Sequence, residues 1–209
     1  MSIVFLTILI TCGISIAAFN SPDLMSKWIM YPYAVRHQNQ WYRFITSGFL
    51  HANWMHLFFN MYVLYSFGQV LSQYFDLLFG DTKGIYYFIL LYVGGIIVSD
   101  LPSYIKYHNS PSYRSLGASG AISAVVFSVI FINPLSKMGI IFIPIALPGV
   151  VFGGLYLAYT WYMAKRGGDR INHDAHFYGA LFGIAFTILL KPSLLPDFID
   201  KIMFAFSGN

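Results

Sequence analysis

The amino-acid sequence predicts an all-α membrane protein with six transmembrane helices. Of its 209 residues, 57% are hydrophobic and only 10% are charged, and the mean hydropathy is +0.64. A soluble domain usually carries about 25% charged residues, so this chain lacks the charges to cover a water-facing surface. Composition therefore excludes a soluble globular enzyme, a disordered chain and a nucleic-acid-binding protein.

Apolar stretches alternate with short polar breaks and indicate six spans in a single domain over residues 1–209. The spans lie at about 2–19, 54–75, 84–99, 116–132, 138–164 and 175–190. No Lys or Arg precedes Lys27, so the first span lacks the basic start of a signal peptide and is interpreted as a retained helix. Spans three, four and six are shorter than the roughly 20 residues that cross the hydrocarbon core. This indicates helix ends below the membrane surface, beside a water-filled hollow. Pro144 and Pro148 interrupt the fifth span.

Two segments are predicted to lie in the membrane interface. The loop 20–50 is rich in Trp and Tyr, as expected at the level of the lipid headgroups. In the tail 191–209, apolar residues recur at helical spacing with charged residues opposite, which favours a short interfacial helix.

The charges give a weak signal for topology. The formal net charge is +4, and alternating loops place eight basic residues opposite the side of the N-terminus and four on its own side. The positive-inside rule alone would therefore put the N-terminus outside. The single cysteine, Cys12, excludes a disulfide framework or a CxxC metal site.

Three polar clusters stand out, because polar groups within spans are costly. They are His56 with Asn60 in the second span, Gly117-Ala118-Ser119-Gly120 at the start of the fourth, and His176 with Gly179 and Gly183 in the sixth. Each has a structural alternative: interhelical hydrogen bonds, a close-packing patch of small residues, or an interfacial histidine.

The geometry predicts that the clusters converge. The loops before spans two, four and six lie on one side, so all three clusters lie at a similar depth. Gly179 and Gly183 let span six press against the small residues of span four. His176 can then take the proton of the Ser119 hydroxyl. His56, Asn60 and the Ser119 backbone N–H are candidate donors to a developing oxyanion.

A third member of a catalytic triad is not evident. Asp174 lies two residues before His176 and points around the helix, so we predict a Ser–His dyad with Asp174 complementing the helix dipole. His51 and His173 are interpreted as structural or interfacial. His173 and His176 lack the carboxylate partners of a zinc pattern, and no metal or cofactor is predicted.

The ordered set of motifs resembles the rhomboid family of intramembrane serine proteases. The matching elements are His56-x-x-x-Asn60, Gly117-x-Ser119-Gly120 and Ala175-His176-x-x-Gly179-x-x-x-Gly183, with Trp41-Tyr42-Arg43 resembling the Trp-Arg element of the first loop. The chain departs from the family pattern at Ser123, where many members have a tyrosine, and at Tyr178, where a small residue is usual.

The resemblance implies a six-helix rhomboid-like bundle in which Ser119 is the nucleophile and His176 the general base. It implies that His56, Asn60 and the Ser119 amide form the oxyanion hole, and that Arg43 belongs to a structural loop. The expected substrates are transmembrane segments of other membrane proteins. They would be cut at the extracytoplasmic side of a membrane, expected to be the bacterial plasma membrane, with the N-terminus inside. The lipid bilayer is the other expected partner, and the oligomeric state stays open.

Two alternatives remain. A rhomboid-like protein could bind membrane-protein clients without cutting them, although both Ser119 and His176 are present. A small transporter could use His56 and His176 along a proton path. It would need acidic partners, and the predicted spans contain none.

Overall fold

The computed structural model describes residues 2–139, 146–169 and 171–207, and most of these residues are helical. Along the chain they form α1 (Ile3–Phe19), α2 (Pro22–Trp28), α3 (Pro32–Gln38), α4 (Arg43–Thr46), a 3₁₀ turn (Ser47–Phe49), α5 (Trp54–Phe79), α6 (Asp81–Tyr107), α7 (Ser119–Ile132), β1 (Lys137–Gly139), β2 (Ala146–Pro148), α8 (Gly149–Arg166), α9 (His173–Leu190) and α10 (Leu194–Phe206).

The third predicted span was too short. Helix α6 has 27 residues and continues through Pro102 to Tyr107, whereas the sequence analysis ended the span at residue 99. A proline inside a helix removes one backbone hydrogen bond, and helices of membrane proteins tolerate that loss.

The fifth predicted span began too early. The chain first forms the antiparallel β1–β2 hairpin, in which Lys137 pairs with Pro148. Helix α8 then runs without a break from Gly149, because Pro148 ends the strand and cannot supply an N–H inside a helix. Pro144 and the basic residue Arg170 lie outside the described residues.

Helix α7 lies at the centre of the fold. All of its residues except Ser119 are buried, and it packs against α5, α6 and α9. A Cβ built on Gly179 would overlap the carbonyl oxygen of Gly120, and one built on Gly183 would overlap that of Ala124. The predicted close approach of the fourth and sixth spans is therefore confirmed.

The first loop and the C-terminal helix pack against this centre. Buried Arg43 joins the short helices of the loop, since its Nη1 donates to the carbonyl oxygens of Ser26 at 2.9 Å and Ile29 at 2.7 Å. On α10, Lys201 Nζ donates to the carbonyl oxygen of Ile132 at 2.9 Å. This contact satisfies a carbonyl at the C-terminal end of α7, where a cation is favourable.

Only part of the predicted set of spans passes a test of length and hydropathy. Among the described helices, α6 alone is long and apolar enough to cross a membrane, and α9 and α10 pass together as a pair bent by 115°. Helices α1 and α7 are apolar but have only 17 and 14 residues. The helical fold is confirmed, and six membrane spans remain a prediction.

Candidate active site

Ser119 and His176 are in direct contact. The distance between Ser119 Oγ and His176 Nε2 is 2.8 Å. Ser119 is the first residue of α7. His176 lies in the first turn of α9, whose start is capped by Asn172 through a 3.1 Å hydrogen bond from the Ala175 N–H. A hydroxyl within hydrogen-bond reach of an imidazole is the arrangement of an activated serine nucleophile.

The His56 ring is held at the start of α5. Asn53 caps this helix by accepting the His56 backbone N–H at 2.8 Å, and the Ala52 N–H donates to His56 Nδ1 at 3.4 Å. A nitrogen that accepts a hydrogen bond carries no proton in neutral imidazole, so the proton of His56 is assigned to Nε2. His56 Nε2–H then has no acceptor among the described residues and can donate to a bound molecule.

Gly117 brings His56 and Ser119 to one place. Its φ of +126° favours glycine, and its N–H donates to the Ser47 carbonyl oxygen at 3.0 Å. A Cβ built on Gly117 would lie 3.2 Å from His56 Nε2, 2.9 Å from His56 Cε1 and 3.9 Å from Ser119 Oγ. A side chain here would occupy the space between the candidate donor and the nucleophile.

Asn60 is less directly engaged. It is buried one turn after His56, and its Nδ2 donates to the His56 carbonyl oxygen at 2.9 Å. The described contacts thus join Ser119 with His176 and bring His56 beside them. They do not join Asn60 to either catalytic candidate.

The nearby carboxylates have other partners. Asp174 approaches Lys106 at 3.9 Å, and Asp169 Oδ2 lies 2.9 Å from His173 Nε2. The hydrogen bond from His173 lowers the pKa of Asp169. No carboxylate within the described ranges forms a hydrogen bond with His176.

His51 is buried in the loop before α5. Ser15 Oγ donates to the Phe49 carbonyl oxygen at 2.7 Å, so His51 Nδ1–H donates to Ser15 Oγ at 2.9 Å. Burial, together with the neighbouring His56, lowers the pKa of His51 to about 3. A neutral ring tied to α1 fits the structural interpretation.

Tyr156 of α8 was not predicted as a site residue. Its ring stacks beside that of His176, with centroids 6.4 Å apart and planes 17° from parallel. Its hydroxyl lies 2.9 Å from Ser123 Oγ. Helix α8 also carries Tyr159 and Tyr162, and no feature of the sequence pattern distinguishes Tyr156 from them.

The expectation that no acidic residue lies within a span was also wrong. Asp100 lies inside α6, because that helix extends beyond the predicted end, and its side chain is buried. Its Oδ2 accepts a hydrogen bond from Ser47 Oγ at 3.2 Å. Ser47 is the residue whose carbonyl holds Gly117, so Asp100 supports the loop beneath the candidate site.

No group of three metal-ligating side chains occurs in the part of the chain that the structure describes.

Comparison with known proteins shows the family of the chain. The Rhomboid domain family matches residues 38–193, which is most of the chain. The chain belongs to the rhomboid family. The matched range contains Ser119, His176, His56 and Asn60, and membership indicates an integral membrane protein.

Similar proteins occur in an animal, a plant and a bacterium. The mitochondrial presenilin-associated rhomboid-like protein A of Danio rerio is 32% identical over 151 residues, covering 67% of this chain and 35% of that protein. The chloroplastic rhomboid-like protein 11 of Arabidopsis thaliana is 28% identical over 212 residues, 90% of this chain and 65% of that protein. YdcA of Bacillus subtilis, a candidate rhomboid protease, is 32% identical over 159 residues, 72% of this chain and 67% of that protein. The chain thus spans about a third of the Danio rerio relative and somewhat less than two thirds of the Arabidopsis thaliana one.

Proposed function

We propose that this rhomboid protein is a serine endopeptidase that cuts transmembrane segments of other membrane proteins. The single observation that supports it most is the 2.8 Å contact between Ser119 Oγ and His176 Nε2. Ser119 and His176 come from different helices, 57 residues apart, and both are partly exposed. This exposure leaves both side chains accessible to a substrate, which a pair that served only in helix packing would not need.

In the proposed reaction, Ser119 Oγ bonds to the carbonyl carbon of the scissile peptide while its proton passes to His176 Nε2. The C–N bond then breaks, and His176 delivers that proton to the leaving amine. A water molecule next gives a proton to His176 and its oxygen to the acyl carbon. The ester to Ser119 Oγ breaks, and the proton returns to the serine.

The negative charge on the carbonyl oxygen needs donors that are already in place. His56 Nε2–H and the Ser119 backbone N–H at the start of α7 are suited to this role. We assign Asn60 as a third donor, which requires its free amide hydrogen to turn toward the substrate.

The membrane part of the proposal follows from the family. We propose that α1, α5, α6, α7, α8 and α9 form a six-helix bundle whose site opens to the extracytoplasmic side, in the bacterial plasma membrane. A transmembrane substrate is hydrogen-bonded as a helix, so it must unwind locally before Ser119 can attack. Short helices such as α7, with 14 residues, favour an active site below the membrane surface with access to water.

The test is cleavage of a fluorescent transmembrane model substrate in liposomes. Ser119→Ala and His176→Ala are each expected to lower kcat by about 10³-fold or more, because the members of such a unit are strongly coupled. Ser66→Ala, at a half-buried position on α5, and His37→Ala, at an exposed position in the first loop, are matched controls that should cut like the wild type.

Cleavage by Ser119→Ala at the wild-type rate would refute the proposal. A wild-type protein that bound transmembrane segments but cut none, across a panel of substrates, would favour the non-cutting alternative.

A further inference from the structure

Among the residues that the structure describes, no charged side chain forms a hydrogen bond with His176; its hydrogen-bond partner is Ser119. In serine hydrolases with a triad, a carboxylate holds the histidine ring in the productive orientation. Here Asp169 is paired with His173 and Asp174 approaches Lys106. Contacts with neighbouring side chains must therefore orient the imidazole.

In the part of the chain that the structure describes, two aromatic rings lie beside the imidazole of His176. The Tyr156 ring lies nearly parallel to it, at a centroid distance of 6.4 Å, within the range of about 4.5–7 Å in which offset aromatic pairs attract. The His173 ring meets it edge-on at 6.1 Å and 75°. With Nε2 fixed by Ser119, these contacts restrict rotation of the ring.

Tyr156 is itself held in place. Its hydroxyl is 2.9 Å from Ser123 Oγ, and its ring packs against Phe127 at 5.6 Å and Phe152 at 6.4 Å. Ser123 lies four residues after Ser119 on α7, so both serines are on one face of that helix. A continuous series of contacts therefore links α7, α8 and α9. It runs from Ser119 to His176, from His176 to Tyr156, and from Tyr156 back to Ser123 on α7.

We propose that Tyr156, tethered by Ser123, is a positioning residue that keeps the His176 imidazole aligned with Ser119 Oγ. The role of this alignment in turnover rests on the proposed function. Tyr156 acts through His176 and touches no reacting atom, so its loss should lower kcat and leave KM unchanged.

The test compares Tyr156→Leu, Tyr156→Phe and Ser123→Ala. Tyr156→Leu removes the ring and should lower both kcat and the rate of fluorophosphonate labelling of Ser119 by about tenfold or more, since small misplacements of a catalytic group can cost up to about 10²-fold. Tyr156→Phe keeps the ring, and Ser123→Ala removes the other end of the same hydrogen bond. Each of these two variants should lower kcat and the rate of labelling by about threefold. Tyr162→Leu, an exposed tyrosine on the same helix, is the matched control.

A structural readout separates this inference from the proposed function. Nuclear magnetic resonance of the His176 ring protons should show a ring-current shift that Tyr156→Leu removes and Tyr156→Phe keeps, whether or not the protein cuts a substrate. A wild type that fluorophosphonate does not label would defeat the proposed function alone.

The inference itself is overturned if Tyr156→Leu is labelled at the same rate as the wild type and has the same kcat. It is also overturned by a change confined to KM, or by a loss in Tyr156→Phe equal to that in Tyr156→Leu.

Discussion

The proton of the His56 ring is placed by a single backbone group. The Ala52 N–H occupies Nδ1, which leaves Nε2–H free to face the space beside Gly117. A neutral histidine held in this way is a donor that needs no reorganisation as charge develops, which is the condition for effective stabilisation of an oxyanion.

Removing this donor should slow the chemical step. His56→Ala is expected to lower kcat by about 10²–10³-fold with little change in KM, because the interaction forms only as the oxyanion develops. Steady-state cleavage of the transmembrane model substrate measures both constants, with His37→Ala as control. A rise in KM at constant kcat would show that His56 binds substrate and does not serve the oxyanion.

Ser119, His176 and His56 were predicted as site residues because each is a polar residue where polar residues are costly, and because alternating spans place them on one side. The structure brings the three side chains together. The sequence could not identify Tyr156, whose contact with His176 depends on the rotation of α8 about its axis. The sequence also predicted that Asn60 is an oxyanion donor. The observed hydrogen bond from Asn60 to the His56 carbonyl oxygen does not test that role.

At the level of elements, the contact between α7 and α9 positions the candidate active site. Ser119 and His176 meet because backbone atoms of the two helices approach at Gly179 and Gly183. Backbone atoms cannot move aside as the end of a flexible side chain can, so this contact admits no added methyl group without a shift of the helices.

Adding a methyl group at Gly179 should lower the stability of the fold and move Ser119 and His176 apart. Gly179→Ala is expected to lower the free energy of unfolding by about 1–3 kcal/mol and to slow cleavage. Gly154→Ala is the matched control, since a Cβ there meets nothing within 4 Å, and alanine favours a helix by about 0.5–1 kcal/mol over glycine. Unfolding in detergent measures both variants. Equal stability of Gly179→Ala and the wild type would contradict the close-packing account.

The helix bounds were predicted well where apolar runs end in polar loops, as at Phe19 of α1 and Ile132 of α7. They failed for α6, because Asp100 and Pro102 look like a helix end in the sequence alone. The hydrogen bond from Ser47 to Asp100 comes from a loop 53 residues away. Such a partner is visible only in the folded chain.

Across the whole molecule, the surface fits a lipid environment. Large apolar side chains are exposed on several helices, including Leu77 at 83%, Leu189 at 79% and Ile105 at 68%. A water-facing protein rarely exposes large contiguous apolar patches. This supports membrane insertion, although composition could not fix the topology, since the count of basic residues and the family resemblance point to opposite orientations.

The stability of the whole molecule should depend on the neutral state of His51. The pKa of His51 is about 3 in the folded protein, against about 6.5 in an unfolded chain. Between these values the unfolded state binds a proton that the folded state does not, so stability falls as the pH is lowered from about 6.5 toward 3.

Melting temperatures at pH 7.5, 6 and 4.5 test this dependence. The wild type should melt at lower temperature as the pH falls, and His51→Asn should reduce the slope, while His37→Asn should keep it. If the melting temperature of His51→Asn fell with pH as steeply as that of the wild type, other groups would control the acid response.

Covalent labelling tests whether Ser119 is a nucleophile activated by His176. The wild-type protein in detergent is treated with a fluorophosphonate, and the modified residue is located by mass spectrometry. We predict one adduct on Ser119, formed at least about 10³-fold more slowly in His176→Ala and at the wild-type rate in His37→Ala. An unmodified Ser119 in the folded wild type, or labelling that does not depend on His176, would contradict the account.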